Sequence, residues 1–261
     1  MLRAIHTAAT GMEAMQTNLD NISNNIANVN TTAYKESQAS FHDLMYQNIR
    51  DPGGQAGPDT VKPTGVQVGI GVKTASVHKN FEPGPLKMTG REFDVAINGD
   101  GFFTVESDTG ETLYTRDGNF QKLPDGRLVT LHGHVLQPTI TVPQGTVKID
   151  ISPRGIVSAL DAQGKRQDIG QIELVSFVNP SGLRAQGAGL YQISEASGTP
   201  NQGKPGDSNL GQVQAGALEG SNVNIVTEMV NMIQAQRAYE MSSKAMQAAD
   251  NMLGTTTNVL R

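Results

Sequence analysis

Apolar residues recur every seven positions near both ends of the chain. At the N-terminus one series is Ile5, Met12, Leu19 and Ile26, and a second, offset by three or four residues, is Met1, Ala8, Met15, Ile22 and Val29. Near the C-terminus the series is Ile225, Met232, Tyr239, Met246, Leu253 and Leu260. Spacings of three and four place side chains on one stripe of an α-helix. The pattern predicts a helix over about residues 3–29 and another over about 224–258.

Neither helix can bury such a stripe alone in water. We therefore expect the two helices to pack on each other, or on copies of themselves, along an assembly seam. This predicted seam comprises Ile5, Met12, Met15, Leu19, Ile22, Ile26, Val29, Ile225, Met232, Tyr239, Met246, Leu253 and Leu260. In a free monomer both ends should then be mobile and become ordered on assembly. The alternative is two ordinary amphipathic helices of one globular core.

Between about residues 66 and 213 the apolar period changes from seven to two. Strands are predicted at 66–72, 93–97, 101–105, 112–115, 127–131, 146–151, 155–160, 171–178 and 190–194. Hairpin-type turns separate several of them, among them Asn98-Gly-Asp-Gly101, Asp117-Gly118 and Asp125-Gly126. The predicted fold class is α+β, in which long N- and C-terminal helices form a coiled-coil-like helical domain with an inserted all-β domain.

The same pattern predicts three regions. Residues 1–34 and 222–261 form a helical assembly domain, and residues 71–199 form an outer β domain. Residues 35–70 and 200–221 form a connecting, extended region. The stretch 36–50 fits either a short helix or a strand.

Composition narrows the possible functions. The 261 residues include no cysteine, which excludes disulfides and thiol catalysis, and the net charge of −5 argues against nucleic acid as a partner. No apolar run approaches the length of a membrane span. Glu13 and Asp20 interrupt the N-terminal segment, so a cleavable signal peptide is not predicted.

Several stretches resemble chemical sites without meeting their requirements. The turn Asn98–Gly101 lacks the spacing and closing Glu of an EF-hand calcium loop. His132 and His134 have no third ligand at suitable spacing for a metal. No serine lies in the context of a nucleophile elbow. We therefore predict no catalysis, no metal and no cofactor.

Two longer motifs carry a specific resemblance. The stretches NNIANVNTTAYK (residues 24–35) and SNVNIVTEMVNMIQAQRAYE (residues 221–240) resemble the terminal signatures of bacterial flagellar rod and hook proteins. The motif residues are Asn24, Asn25, Ala27, Asn28, Asn30, Thr31, Tyr34, Lys35, Ser221, Asn222, Gln236, Arg237 and Tyr239. Ala33 departs from the pattern, since the family usually has Gly there. If the turn requires a positive φ, Ala33 is strained.

The whole chain is most similar to the distal rod members of this family. The resemblance implies a structural subunit that assembles itself into a rigid hollow drive shaft and transmits motor torque to the hook. It implies a place in the flagellar basal body, spanning the periplasm and reaching the outer membrane. The implied partners are further copies of the chain, proximal rod proteins, the hook protein, the L- and P-ring proteins and the flagellar type III export apparatus, without nucleic acid or membrane insertion.

Residues 51–63 form a segment rich in proline and glycine. Its constrained or permissive positions are Pro52, Gly53, Gly54, Pro58 and Pro63. The resemblance associates an extra segment here with a straight rod rather than a bendable hook, so it is predicted to confer rigidity. The alternative is a flexible linker. Two other functions stay open: another flagellar axial subunit (hook or proximal rod), or a secreted β-domain binding protein on a helical stalk.

Overall fold

The computed structural model describes residues 2–50, 55–57, 60–61, 64–161, 163–207 and 209–259. The chain divides into two compact units. The first unit takes residues 1–27, 37–78 and 224–261, and the second takes residues 28–36 and 79–223.

A long helix lies at each end of the chain: α1 (Leu2–Ala27) and α2 (Ile225–Val259). The strands of the first unit are β1 (Ser37–Asp43), β2 (Tyr46–Arg50), β3 (Gln55–Gly57), β4 (Thr60–Val61), β5 (Val66–Gly69) and β6 (Val72–Lys79). The strands of the second unit are β7 (Leu86–Met88), β8 (Val95–Asn98), β9 (Phe102–Glu106), β10 (Thr112–Thr115), β11 (Phe120–Lys122), β12 (Leu128–Thr130), β13 (Val135–Gln137), β14 (Thr146–Ile151), β15 (Ile156–Asp161), β16 (Arg166–Gln171), β17 (Leu174–Ser176), β18 (Arg184–Gly187), β19 (Leu190–Gln192), β20 (Asn201–Gly203), β21 (Gln212–Ala215) and β22 (Ala217–Glu219).

In the first unit the two helices pack against each other beside three two-stranded sheets. The pairs are β1 with β6, β2 with β5 and β3 with β4. Asn224 caps the N-terminus of α2, because its side-chain oxygen accepts hydrogen bonds from the N–H groups of Val226 (3.0 Å) and Thr227 (3.4 Å). The expected helix at each end of the chain is therefore present, with bounds within about two residues of those predicted.

The second unit is built from strands. Its largest sheet has the order β11-β12-β13-β9-β10-β19-β18, with β17 also paired to β9 and β20 paired to β17. A three-stranded sheet follows the order β14-β15-β16, and β8 pairs with β21 while β7 pairs with β22. The main core is aliphatic around Phe103 and Phe120, and a second cluster holds edge-to-face aromatic rings that include Phe102, Phe177 and Tyr191.

The predicted fold class is wrong. The protein is mostly β with a helix at each terminus, and the helices do not form a separate helical domain. They share the first unit with β1 to β5 and most of β6, which the prediction treated as connection or as part of the β domain. The coiled-coil description fails because the helices meet mainly through small side chains, as described below. The domain boundaries drawn from the sequence stay a prediction.

Candidate assembly surfaces and the buried motif anchor

The first half of the family motif forms a turn in the second unit. The N–H of Thr31 donates to the carbonyl of Asn28 (3.0 Å), and the N–H of Ala33 donates to the carbonyl of Glu219 (2.8 Å). Ala33 is buried and has a φ of 55°. Such a conformation costs an L-residue about 1–2 kcal/mol. The turn thus requires a positive φ at the position where the sequence analysis expected strain.

Lys35 leads from this turn into a buried ion-pair cluster. Its Nζ lies 2.6 Å from Glu219 Oε1, and both side chains are fully buried. Nζ also donates to the carbonyl of Glu82 (2.7 Å), and the N–H of Gly84 donates to Glu219 Oε1 (2.9 Å). Lys35 therefore acts inside the fold rather than on the surface.

Arg116 is the second cation in this cluster. Its Nε lies 3.1 Å from Glu219 Oε2, at an angle that does not make a hydrogen bond. Its NH1 donates to the carbonyls of Gly99 and Gly101, each at 2.8 Å. One carboxylate thus faces two cations. Burial lowers the pKa of the Lys35 ammonium, the nearby Glu219 carboxylate opposes that shift, and Arg116 adds to it.

The second half of the motif reaches the same region through Ser221 and Asn222. The N–H of Glu36 donates to Asn222 Oδ1 (2.7 Å), and Asn222 Nδ2 donates to the carbonyl of Asn80 (3.0 Å). Ser221 is buried. The two halves of the motif therefore meet where Glu36, the residue after Lys35, bonds to Asn222. Gln236 and Arg237 instead lie exposed on α2.

In the first unit Asn25 joins α1, β1 and α2. Its Nδ2 donates to the carbonyl of Ser37 (2.9 Å) and to Glu228 Oε2 (3.0 Å), and its Oδ1 accepts from the N–H of Ser37 (2.9 Å). Glu228 is buried and also accepts from Asn231 Nδ2 (3.1 Å). A buried carboxylate is therefore held by two amides where the helices meet.

Small side chains are buried on both α1 and α2. Ala8, Ala14, Ala235 and Ala249 are buried. A Cβ on Gly11 would lie 3.4 Å from Ser242 Oγ, so the helices approach closely there. Glu228, Ala235, Ser242 and Ala249 also repeat every seven residues, each three positions after a member of the apolar series that begins at Ile225.

The predicted seam residues occupy several environments. Ile22 is buried, whereas Ile5, Met12, Met15, Leu19, Ile26, Val29, Met232, Met246 and Leu253 are half-buried, and Ile225 and Tyr239 are exposed. Val29 belongs to the second unit, and Leu260 lies outside the described residues. Their role in assembly stays a prediction.

An apolar surface that the sequence analysis did not single out lies on the first turns of α2. Val226, Met229, Val230 and Ile233 are 71%, 55%, 48% and 50% exposed, and we call them the outer face of α2. They follow the spacing i, i+3, i+4, i+7 and point away from the side on which Glu228 and Ala235 are buried. This spacing in the sequence indicates an apolar helix face, but the longer heptad series runs through the same part of the helix and obscures it.

The start of α1 is fixed to the turn between β5 and β6. Thr7 Oγ1 donates to the carbonyl of Ile70 (3.2 Å), and the N–H of Val72 donates to Thr10 Oγ1 (3.4 Å). Gly71 has a φ of 144°, and a Cβ there would lie only 2.3 Å from Thr10 Oγ1. The approach therefore requires glycine at position 71.

The other candidate sites do not form a metal site or a membrane span in the described part of the chain. The rings of His132 and His134 are 6.5 Å apart, and no cluster of three or more His, Cys, Asp or Glu suits a metal ion there. No described helix is long and apolar enough to cross a membrane. The predicted rigidity residues Pro52, Gly53, Gly54, Pro58 and Pro63 lie outside the described residues.

Comparison with known proteins matches three segments of the chain to family models. Residues 5–35 match the flagella basal body rod protein model, and residues 214–259 match the flagellar basal body rod FlgEFG protein C-terminal model. Residues 96–159 match the flagellar hook protein FlgE/F/G D1 domain. The first two segments contain the motif residues that meet around Lys35 and Glu228.

Full-length relatives extend this likeness. The flagellar basal-body rod protein FlgG of Borreliella burgdorferi is 45% identical over 264 residues, covering 100% of both chains. The FlgG proteins of Caulobacter vibrioides (44%, 99% of both chains) and Bacillus subtilis (40%, 100% of both chains) are similarly related. The chain belongs to the flagellar basal-body rod protein family. The resemblance and the function predicted from the sequence, a structural subunit of the flagellar rod in the basal body, are confirmed.

Proposed function

We propose that this flagellar rod protein polymerises through the outer face of α2 to build the distal rod, without catalysing a reaction. The observation that carries the proposal is the set of four exposed apolar side chains at Val226, Met229, Val230 and Ile233. A water-soluble subunit gains little from such a set of exposed side chains, whereas a polymer buries it. The full-length relatives described above are named as rod proteins, which supports a structural role.

The size of the effect indicates how the polymer is held together. Complete burial of a Val, Ile or Met side chain contributes about 1.5–3 kcal/mol, so four half-exposed side chains contribute roughly 4 kcal/mol. Association costs at least about 4 kcal/mol in lost translational and rotational freedom. One such contact is therefore weak, and a stable rod needs each subunit to make several contacts at once.

The partners come from the family resemblance. We propose proximal rod proteins and the hook protein at the two ends of the polymer, and the L- and P-ring proteins around it. The flagellar type III apparatus would export the chain to a site that spans the periplasm. The family models also cover hook and other rod proteins, but the full-length relatives named FlgG favour the distal rod.

The test compares two valine substitutions by electron microscopy of the purified full chain. Val226→Asp puts a carboxylate on the outer face of α2 and is expected to abolish filaments. Val178→Asp makes the same change at a valine that is 92% exposed in the second unit and is expected to leave them intact. Both positions are exposed, so both variants should fold. Filaments from Val226→Asp as abundant as from the wild-type chain would contradict the proposal.

A further inference from the structure

A groove opens in the first unit between the start of α1 and the second half of α2, beside β5. Its walls include Ala4, Thr7, Val68, Met241 and Ala245, and the buried Ala8 lies at its base. Its volume is about 750 Å³, which is enough for several side chains. Arg3 is the one charged residue among those that line it.

We propose that this groove receives the outer face of α2 from a second copy of the chain. The inference rests on the proposed function and adds to it the surface that accepts the outer face. The contact is heterologous, because each copy offers the outer face to one neighbour and the groove to another.

The two surfaces match in chemistry. Between Val226 and Ile233 the only charged residue is Glu228, which is buried on the opposite side of the helix. The outer face therefore brings no charge into the contact. The groove walls are small or aliphatic apart from Thr7, Ser242 and Met241, and the long side chain of Arg3 can keep its charge in water while its stem covers apolar surface. No charged group therefore has to leave water when the two surfaces meet, and the desolvation cost of the contact is small.

The placement of the two surfaces explains a polymer rather than a dimer. On α2 the outer face is centred near residue 230 and the groove near residue 243, so they are about 20 Å apart along the helix. If outer faces paired with each other, the contact would be isologous and growth would stop at two copies. A face-to-groove contact between parallel α2 helices shifts each new copy along the axis by that offset, and repetition gives an open helical polymer.

The absence of cysteine from the sequence allows a clean cross-linking test. The test variant carries Val230→Cys and Ala245→Cys, one position on the outer face and one in the groove. These positions are about 22 Å apart along one helix, far beyond the roughly 7 Å that a disulfide spans between Cα atoms, so any bond joins two chains. The control carries Val230→Cys and Lys244→Cys. Lys244 is also exposed, but it points about 100° away from Ala245 around the helix.

Both variants are oxidised under conditions in which the wild-type chain forms filaments and are then separated on non-reducing gels. We expect a ladder of covalent oligomers from the 230/245 pair and at least tenfold less from the 230/244 pair. Equal ladders, or filaments of the 230/245 variant that stay monomeric on the gel, would overturn the proposal. If the substitutions prevent filaments, the oxidation is repeated in concentrated solution, where disulfides trap transient contacts. Cross-linking of the 230/245 pair that does not exceed that of the 230/244 pair would then overturn the proposal as well.

These outcomes separate the inference from the proposed function. If Val226→Asp abolishes filaments but the 230/245 variant gives no ladder of cross-linked oligomers, the groove is not the acceptor, while the role of the outer face in assembly still stands. If the wild-type chain forms no polymer, both the proposed function and the face-to-groove contact are contradicted.

Discussion

Glu219 is the residue on which the buried cluster depends, because it is one carboxylate that faces two buried cations. Glu219→Gln would remove the carboxylate that pairs with both Lys35 and Arg116 and should lower the free energy of unfolding by about 3–5 kcal/mol. Lys35→Met leaves Glu219 paired with Arg116 and removes the excess positive charge. We expect its cost to be clearly smaller, although the hydrogen bond to the carbonyl of Glu82 is lost.

Urea unfolding of both variants measures this difference. Asp150→Asn serves as the control, since it breaks an ion pair with Arg166 in which both side chains are more than half exposed. Such pairs contribute about 0–1 kcal/mol. A Lys35→Met variant that loses as much stability as Glu219→Gln would show that the two cations are not alternative partners of one carboxylate.

Asp117 provides a prediction about pH. Burial raises the pKa of its carboxyl, Asp94 adds to the shift, and the N–H of Asn119 opposes it. The folded state therefore holds the proton more tightly than the unfolded state, and stability contributed by this group is lost as the pH rises above the ordinary carboxyl value. Asp117→Asn should stabilise the protein at about pH 7 and have little effect at about pH 3.

Asp125→Asn is the matched control with the opposite sign. A hydrogen bond from Arg127 holds the pKa of Asp125 below its usual value, so this carboxylate stabilises the fold when ionised, and that stability is lost as the pH falls. Its substitution should therefore lower stability at neutral pH. The urea midpoints of both variants are measured at the two pH values. If both substitutions change stability in the same direction at neutral pH, the opposite pKa shifts assigned to Asp117 and Asp125 are contradicted.

At the residue scale the sequence indicated Lys35 and Ala33 but not their surroundings. The motif marked Lys35, and the departure from the family pattern marked Ala33 as a position of strain. Glu219 and Arg116 carried no local signal, since isolated charged residues are most often exposed. Their burial depends on contacts between positions more than 100 residues apart, which no local pattern encodes.

Asn25 links three elements of the first unit, and its removal tests how far α2 depends on α1. Asn25→Ala deletes three hydrogen bonds and leaves the buried Glu228 with fewer donors. Unsatisfied buried groups cost about 1–3 kcal/mol each. The start of α2 should then exchange its amide hydrogens faster, and the free energy of unfolding should fall by several kcal/mol.

Asn21→Ala is the control on the same helix. Asn21 makes one hydrogen bond to the carbonyl of Ser37 (2.7 Å) and none to α2 in the part of the chain that the structure describes. It should cost about 1 kcal/mol and leave exchange in α2 unchanged. If both variants affect α2 alike, Asn25 is not the specific link between the helices.

At the scale of elements, the helices and strands that the sequence located correctly are those with a strong local pattern of apolar residues. The helices were located within about two residues because a heptad series runs through each. Strands β10, β14 and β15 lie where alternation and turn residues predicted them. Strands β16 (RQDIGQ), β18 (RAQG) and β20 (NQG) are polar and glycine-bearing, and their pairing depends on neighbouring strands. The ambiguous stretch 36–50 became β1 and β2, which helped to overturn the predicted fold class.

At the scale of the whole molecule, the last prediction concerns the stiffness of the rod. Strands β2 and β5 pair antiparallel, and all five residues of β2 are exposed. Isolated two-stranded ribbons are marginally stable, so this ribbon gains from contact with another surface. The segment 51–63 connects its strands and is proposed to confer rigidity. If it resists sliding between neighbouring subunits, its loss should let the polymer bend while the outer face of α2 still drives assembly.

The deletion replaces residues 51–63 with Asn-Gly, which together with Thr64 and Gly65 leaves a four-residue hairpin loop between the paired residues Arg50 and Val66. A second variant keeps the length but replaces the segment with Gly and Ser, which removes the fixed φ of Pro52, Pro58 and Pro63 and so separates rigidity from length. We expect filaments from both variants, with curvature in electron micrographs that is absent from the wild-type polymer. Because the outer face lies on α2, a loss of filaments would mean that the segment also drives assembly. Straight filaments from both variants would mean that stiffness arises elsewhere in the subunit.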